Sequence, residues 1–127
     1  MADVKTHSEL SKRLLQAMRD AHAREQWPVV VDAGFYTVFH GMEALNATEC
    51  RDSYTFADAV DILERVLAPR FVGDAFVRDY EFLFYFRRGA IYGTHIPSPR
   101  QIRRFVEVAQ RAQRHVMAIV AQVSSEE

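Results

Sequence analysis

Apolar residues recur every three or four positions through most of the chain, and no stretch reads as a convincing strand. That spacing limits the fold to packed helices, and prolines and glycines divide the pattern into five segments. The first is expected over about 7–25, where Leu10, Leu14, Ala17, Met18 and Ala21 make one stripe. Trp27-Pro28 ends it, because the residue before a proline avoids helical dihedrals. The second runs over about 28–47, with Pro28 in its first turn and Val31, Phe35, Val38, Met42 and Leu45 as its core stripe. Ala33, Tyr36, His40, Glu43 and Ala47 lie beside that stripe, and the small residues Ala33, Gly34, Gly41 and Ala44 would admit a neighbouring helix closely. The third is expected over about 56–68, with Thr55 as N-cap, Asp58 in the first turn and Pro69 as its stop. The fourth covers about 75–92, from Asp74 as N-cap to Gly93 as C-cap, with Phe76, Tyr80, Leu83, Ala90 and Ile91 on one stripe. The fifth covers about 99–123, started by Ser98 and Pro99 and lined by Ile102, Phe105, Ala109, Ala112, Val116, Ile119 and Val123.

Five amphipathic helices with short connections make an all-α, up-and-down helical bundle, and 127 residues form one domain spanning 1–127. With 49% of its residues hydrophobic the chain can build a core. No stretch approaches the roughly 18–20 apolar residues needed to span a bilayer, and the N-terminus has no apolar signal core, so no membrane partner and a cytoplasmic location are expected. The run Phe82-Leu83-Phe84-Tyr85-Phe86 is apolar on all sides. A helix of that kind is central or covered by a partner, which points to a homodimer. Cys50 is the lone cysteine, so no internal disulfide is available, and its polar setting gives no support to a nucleophile.

The net charge of −1 is neutral evidence, but its distribution is uneven. Residues 87–115 hold seven arginines and one acid, Glu107. Such a block can steer RNA or nucleotide phosphates, or it can be a solvated helix face. Arg100, Arg103 and Arg104 are its candidates for RNA or nucleotide contact, together with Tyr92.

Three polar groups stand out. Arg87 follows Phe76, Tyr80 and Leu83 on the apolar stripe, and a buried guanidinium needs a partner: Glu43, Asp79 or a phosphate. Arg88 and His95 are separated by six residues, with His95 in the loop past the helix end. An imidazole near neutral pKa can move a proton from a ribose 2′-hydroxyl, and an arginine beside it can stabilise the phosphorane-like transition state. His40 and Glu43, one turn apart, are expected to hydrogen bond. No nucleotide-binding glycine motif, nucleophile elbow or metal-ligand cluster is present, so no cofactor and no metal are expected.

The segment FLFYFRRGAIYGTHIPSPRQIRRFVEVAQRAQRHV resembles the signature end of a HEPN domain: an arginine near a helix end, a small or apolar stretch, a tyrosine or histidine, then a capped final helix. FYTVFHGMEAL resembles the family's aromatic-plus-histidine helix, and YTFADAVDILERVL its connecting helix. The resemblance covers about residues 7–122. It implies a HEPN-like helical bundle that dimerises. Many members are metal-independent ribonucleases, among them toxins paired with a small nucleotidyltransferase antitoxin and effectors of antiphage defence. Active members carry an arginine, four to six residues, then a histidine at the dimer cleft. Two alignments meet that spacing here. Arg88 to His95 has six intervening residues; Arg87 to Tyr92 has four, with tyrosine in the histidine's place. The tyrosine common two positions after the toxin histidine is Pro97 in this chain. Three readings follow: a metal-independent ribonuclease or toxin using Arg88 and His95 with Arg87; a non-catalytic module that binds a nucleotidyltransferase-type partner, a nucleotide or RNA through Arg87, Tyr92 and the basic face; and a dimeric helical scaffold.

Overall fold

A computed structural model of the chain describes residues 3–48, 61 and 73–125. These hold four α-helices: α1, Val4–Ala23; α2, Trp27–Thr48; α3, Gly73–Arg87; and α4, Pro99–Ser125. A π-helical turn, Arg88–Tyr92, continues α3. The helix expected over 56–68 and the lone Cys50 lie outside the described residues.

α1 starts earlier than its apolar stripe suggests, because Asp3 caps it. The Asp3 carboxylate accepts the Thr6 backbone N–H at 2.8 Å, and the hydrogen bonds from Thr6 hold that carboxyl below its usual range. α1 closes at Ala23, and the chain reverses through Glu25, whose φ of 58° is left-handed. Its buried face also differs from the expected stripe. Met18 and Ala21 are buried, Leu10 and Leu14 are half-buried, and Ala17 is exposed. Ser11 takes the inward position instead, because its hydroxyl donates to the Thr37 carbonyl at 2.6 Å.

α2 is the central element. Thirteen of its 22 residues are buried, including Phe35, Val38, Met42 and Leu45. α1 crosses it antiparallel, pairing His7 with His40 and Ser11 with Thr37. α4 runs parallel to α2 and packs close to it at two glycines. A Cβ at Gly34 would meet the Phe105 ring at 2.4 Å, and one at Gly41 would meet Val116 at 2.5 Å. The close approach expected from the small residues of α2 is therefore made by α4.

α3 lies antiparallel to both, with Phe84 and Tyr80 against Phe35, Phe76 against His115, and Phe86 against Phe105. The described helices thus form an up-and-down bundle. Asp74 falls inside the first turn of α3 rather than before it, because the helix begins at Gly73. α4 starts as its sequence predicts and adds a reciprocal cap: Ser98 Oγ accepts from the Gln101 N–H at 3.1 Å, and the Gln101 side chain accepts from the Ser98 N–H at 2.8 Å. Each buried aromatic or leucine of this core contributes about 1.5–3 kcal/mol. Among the described residues no helix is long and apolar enough to cross a membrane.

Candidate functional site

The end of α3 concentrates the chemistry. Arg87 lies on the inward stripe, and its side chain is 11% exposed. Its Nε donates to Asp32 Oδ1 at 2.9 Å, and a terminal nitrogen lies 3.4 Å from the Tyr36 hydroxyl. Three rings surround the guanidinium, with centroids at 5.1 Å for Tyr36, 5.3 Å for Phe35 and 5.5 Å for Tyr92, all within cation–π range. Burial works against the charge, but the Asp32 hydrogen bond and the charges of Tyr36 and Asp32 outweigh it and raise the pKa. The partner is therefore neither of the carboxylates expected. Asp79 is taken by Arg111, which grips both carboxylate oxygens at 2.7 and 3.0 Å. Glu43 is buried in the core face of α2. Asp32 is one turn before the aromatic pair Phe35-Tyr36, and nothing in the apolar pattern marked it.

The π-helical turn decides which residue faces Arg87. In such a turn residues five apart come into register, where an ordinary helix would align residues four apart. Tyr92 is five residues from Arg87 and sits over its guanidinium, while its own ring stays 72% exposed. Gly93 closes the turn: its N–H bonds to the Gly89 carbonyl at 3.2 Å, and a Cβ there would meet the Gly89 oxygen at 2.5 Å.

Arg88 and His95 do not join this group. Arg88 is exposed. His95 is exposed in the loop before α4, with Nε2 3.2 Å from the Gln101 side-chain oxygen. That oxygen already accepts the Ser98 N–H, which places the proton on His95 Nε2. Among the described residues no hydrogen bond links Arg88 to His95. The other candidates separate as well. Arg100 is exposed, and Arg104 lies 3.9 Å from Glu107 on the surface of α4. Arg103 turns to a different place, a cleft of about 340 Å³ between the α1–α2 turn and the start of α4.

Two polar groupings escaped the sequence reading. His40 pairs with His7 rather than Glu43, Nδ1 to Nδ1 at 3.0 Å. The ring centroids are 5.2 Å apart and the rings are tilted by 26°, so they meet end to end through one hydrogen bond. Burial, then the charge of His7, lowers the His40 pKa. One turn along, Ser11, Thr37 and Gln113 form a buried polar seam across α1, α2 and α4. Serine and threonine in helix interiors signal such seams only when the facing helix is known.

Among the described residues no group of three or more histidine, cysteine or carboxylate side chains could hold a metal ion. Around the end of α3 and the turn that follows, Phe82, Tyr85, Tyr92 and Ile96 are between 37% and 75% exposed, and Tyr92 is the one of them that lies against Arg87. Exposed rings and an exposed arginine, Arg88, on one short stretch of chain are the residue types that stack on bases and contact phosphate. No protein-family model matches the chain, and no curated protein matches it in sequence.

Proposed function

We propose that this chain is a non-catalytic HEPN-like module that binds single-stranded RNA on the face formed by the end of α3 and the π-helical turn. One observation carries the reading: Tyr92, not a histidine, stands over Arg87. In the resemblance, arginine and histidine share the reactive site. Here the arginine in register is committed to Asp32 and three rings, and a tyrosine fills the other position. Tyr85 and Tyr92 supply exposed stacking surfaces, and Arg88 supplies a cation for the backbone. The exposed apolar side chains Phe82 and Ile96 would add contact area for pairing two copies into a homodimer or for a nucleotidyltransferase-type partner.

A second reading has its own observation. Arg88 is exposed without a partner among the described residues, and His95 keeps Nδ1 without one. A second copy could bring the two together as a metal-independent ribonuclease. The test uses a labelled single-stranded RNA in EDTA, followed both for binding by anisotropy and for cleavage. The first reading expects binding that weakens about tenfold in Arg88→Ala and Tyr92→Ala, stacking and phosphate contacts each being worth about 1–3 kcal/mol, and an intact RNA. Cleavage lost in Arg88→Ala and in His95→Ala would transfer the function to the second reading. RNA neither bound nor cut would reject both.

A further inference from the structure

The cleft between the α1–α2 turn and the start of α4 has features of a ligand site that the α3 face does not use. Its apolar floor is Val30 and Ile102, both buried, with Trp27 half-buried beside them. Pro97 and Pro99 form the wall at the start of α4. Three polar side chains reach the same cleft: Arg103, Glu25 and His22. None makes a side-chain hydrogen bond or ion pair with the others or with any described residue. This differs from Arg87, Arg111 and Arg104, each of which has a carboxylate nearby. Glu25 also occupies a left-handed position that glycine would take freely, so its side chain is placed there at a conformational cost.

An opposite-charge pair that shares a concave wall without closing on itself is matched by a ligand carrying both charges. We infer that this cleft binds a small zwitterionic amphiphile, an apolar body bearing one carboxylate and one ammonium, as in a free apolar amino acid. Arg103 takes the carboxylate in a two-pronged contact, with His22 beside it. Glu25 takes the ammonium. Trp27, Val30 and Ile102 cover the apolar body. The volume of about 340 Å³ lies at the small end of the ~300–1,000 Å³ range of ligand pockets and accommodates an amino acid. The site stands independently of the RNA reading, because it shares no residue with Arg88, Tyr85 or Tyr92.

Trp27 is the only tryptophan, so its fluorescence reports this cleft alone. L-Leucine is the probe, with isocaproate, which lacks the ammonium, and isoamylamine, which lacks the carboxylate, as comparators. Saturable change of the Trp27 emission by L-leucine is expected, with both comparators at least about tenfold weaker, as loss of one charge-assisted contact implies. Arg103→Gln should reduce L-leucine to the affinity of isoamylamine, and Glu25→Gln to that of isocaproate. Both residues are exposed, so these variants keep the fold, which far-UV circular dichroism verifies. No saturable response to L-leucine, isocaproate binding as tightly as L-leucine, or an unchanged response in Arg103→Gln would each overturn the assignment.

Discussion

Tyr36 and Thr37 are neighbours on α2, yet they serve two polar regions built on opposite terms. Thr37 faces the sealed interior, where it and Ser11 are fully buried and Gln113 is 5% exposed. No member of that seam is charged. Ser11 donates to the Thr37 carbonyl, Thr37 Oγ1 donates to the Ser11 carbonyl, and Gln113 donates to Ser11 Oγ at 3.4 Å. Tyr36 faces the Arg87 region at the edge of the bundle. There the guanidinium is nearly covered, but its partner Asp32 is 49% exposed. Neutral hydroxyls can be sealed in when each finds an acceptor. A charge is held where one partner keeps its water and aromatic faces cover the rest, because desolvating both ions costs several kcal/mol each.

The largest effect should come from the sealed region. Thr37→Val keeps the shape but removes the donor to the Ser11 carbonyl and sets a methyl against it, so that carbonyl keeps its helical hydrogen bond and one buried lone pair loses its partner. A loss of about 2–3 kcal/mol is expected in urea unfolding. The double variant Ser11→Ala, Thr37→Val should lose less than the sum of the single changes, because the two groups share one network. A Thr37→Val cost below about 0.5 kcal/mol would mean the seam contributes nothing. Arg87→Met should cost less, about 1–2 kcal/mol, because Asp32 can turn to solvent while the cation–π contacts are lost. Arg87→Lys should recover only part of it, since an ammonium cannot lie flat between rings. If Arg87→Met proved costlier than Thr37→Val, the ranking of the two regions would be reversed.

The two regions also differ in how far the sequence disclosed them. Periodicity alone marked α2 and α4 nearly to their ends, and it put Arg87 on a buried stripe, because one helix carries enough information to define its own face. The small residues of α2 marked the close approach that α4 makes at Gly34 and Gly41. The partners were hidden, because Asp32 and Tyr36 lie 55 and 51 residues from Arg87. The turn of α1 toward Ser11, away from Ala17, was hidden for the same reason: a serine looks polar until a facing carbonyl is known. The π-helical turn has no apolar signature. Without it, Arg87 and Tyr92 would not be in register, and the choice between Tyr92 and His95 stays open in the sequence.

Tyr80 offers a smaller and opposite test. It is 1% exposed, and its hydroxyl has no hydrogen-bond partner among the described residues. Burial, then the charge of Glu43, raises its pKa far above the usual phenol range. Unlike Thr37, it has no donor role to lose. Tyr80→Phe should therefore leave stability unchanged or raise it by up to about 1 kcal/mol in the same urea assay. A loss as large as that of Thr37→Val would show that the hydroxyl is engaged.

The smallest effect at any one pH, and the most selective, belongs to the His7–His40 pair. It lies one turn from the Ser11–Thr37 seam but is only half-buried. The seam has no ionisable group and Arg87 keeps its charge at all accessible pH, so neither region responds near neutrality. The histidine pair must respond. Its single Nδ1–H···Nδ1 bond holds one proton, and a second would set two N–H groups against each other. The His40 pKa is lowered in the folded protein, so below the ordinary value of 6.5 the unfolded chain binds more protons than the folded one. Stability is then full above that value, falls as pH descends through it, and levels off below the lowered folded pKa. Urea midpoints taken between about pH 8 and pH 5 should follow this course in the wild type and flatten in His40→Phe, where the difference between the two curves removes the exposed histidines from the comparison. A wild-type curve that rises toward acid, or one that His40→Phe leaves unchanged, would mean the pair does not share a proton, and the first turns of α1 would then be held to α2 by packing alone.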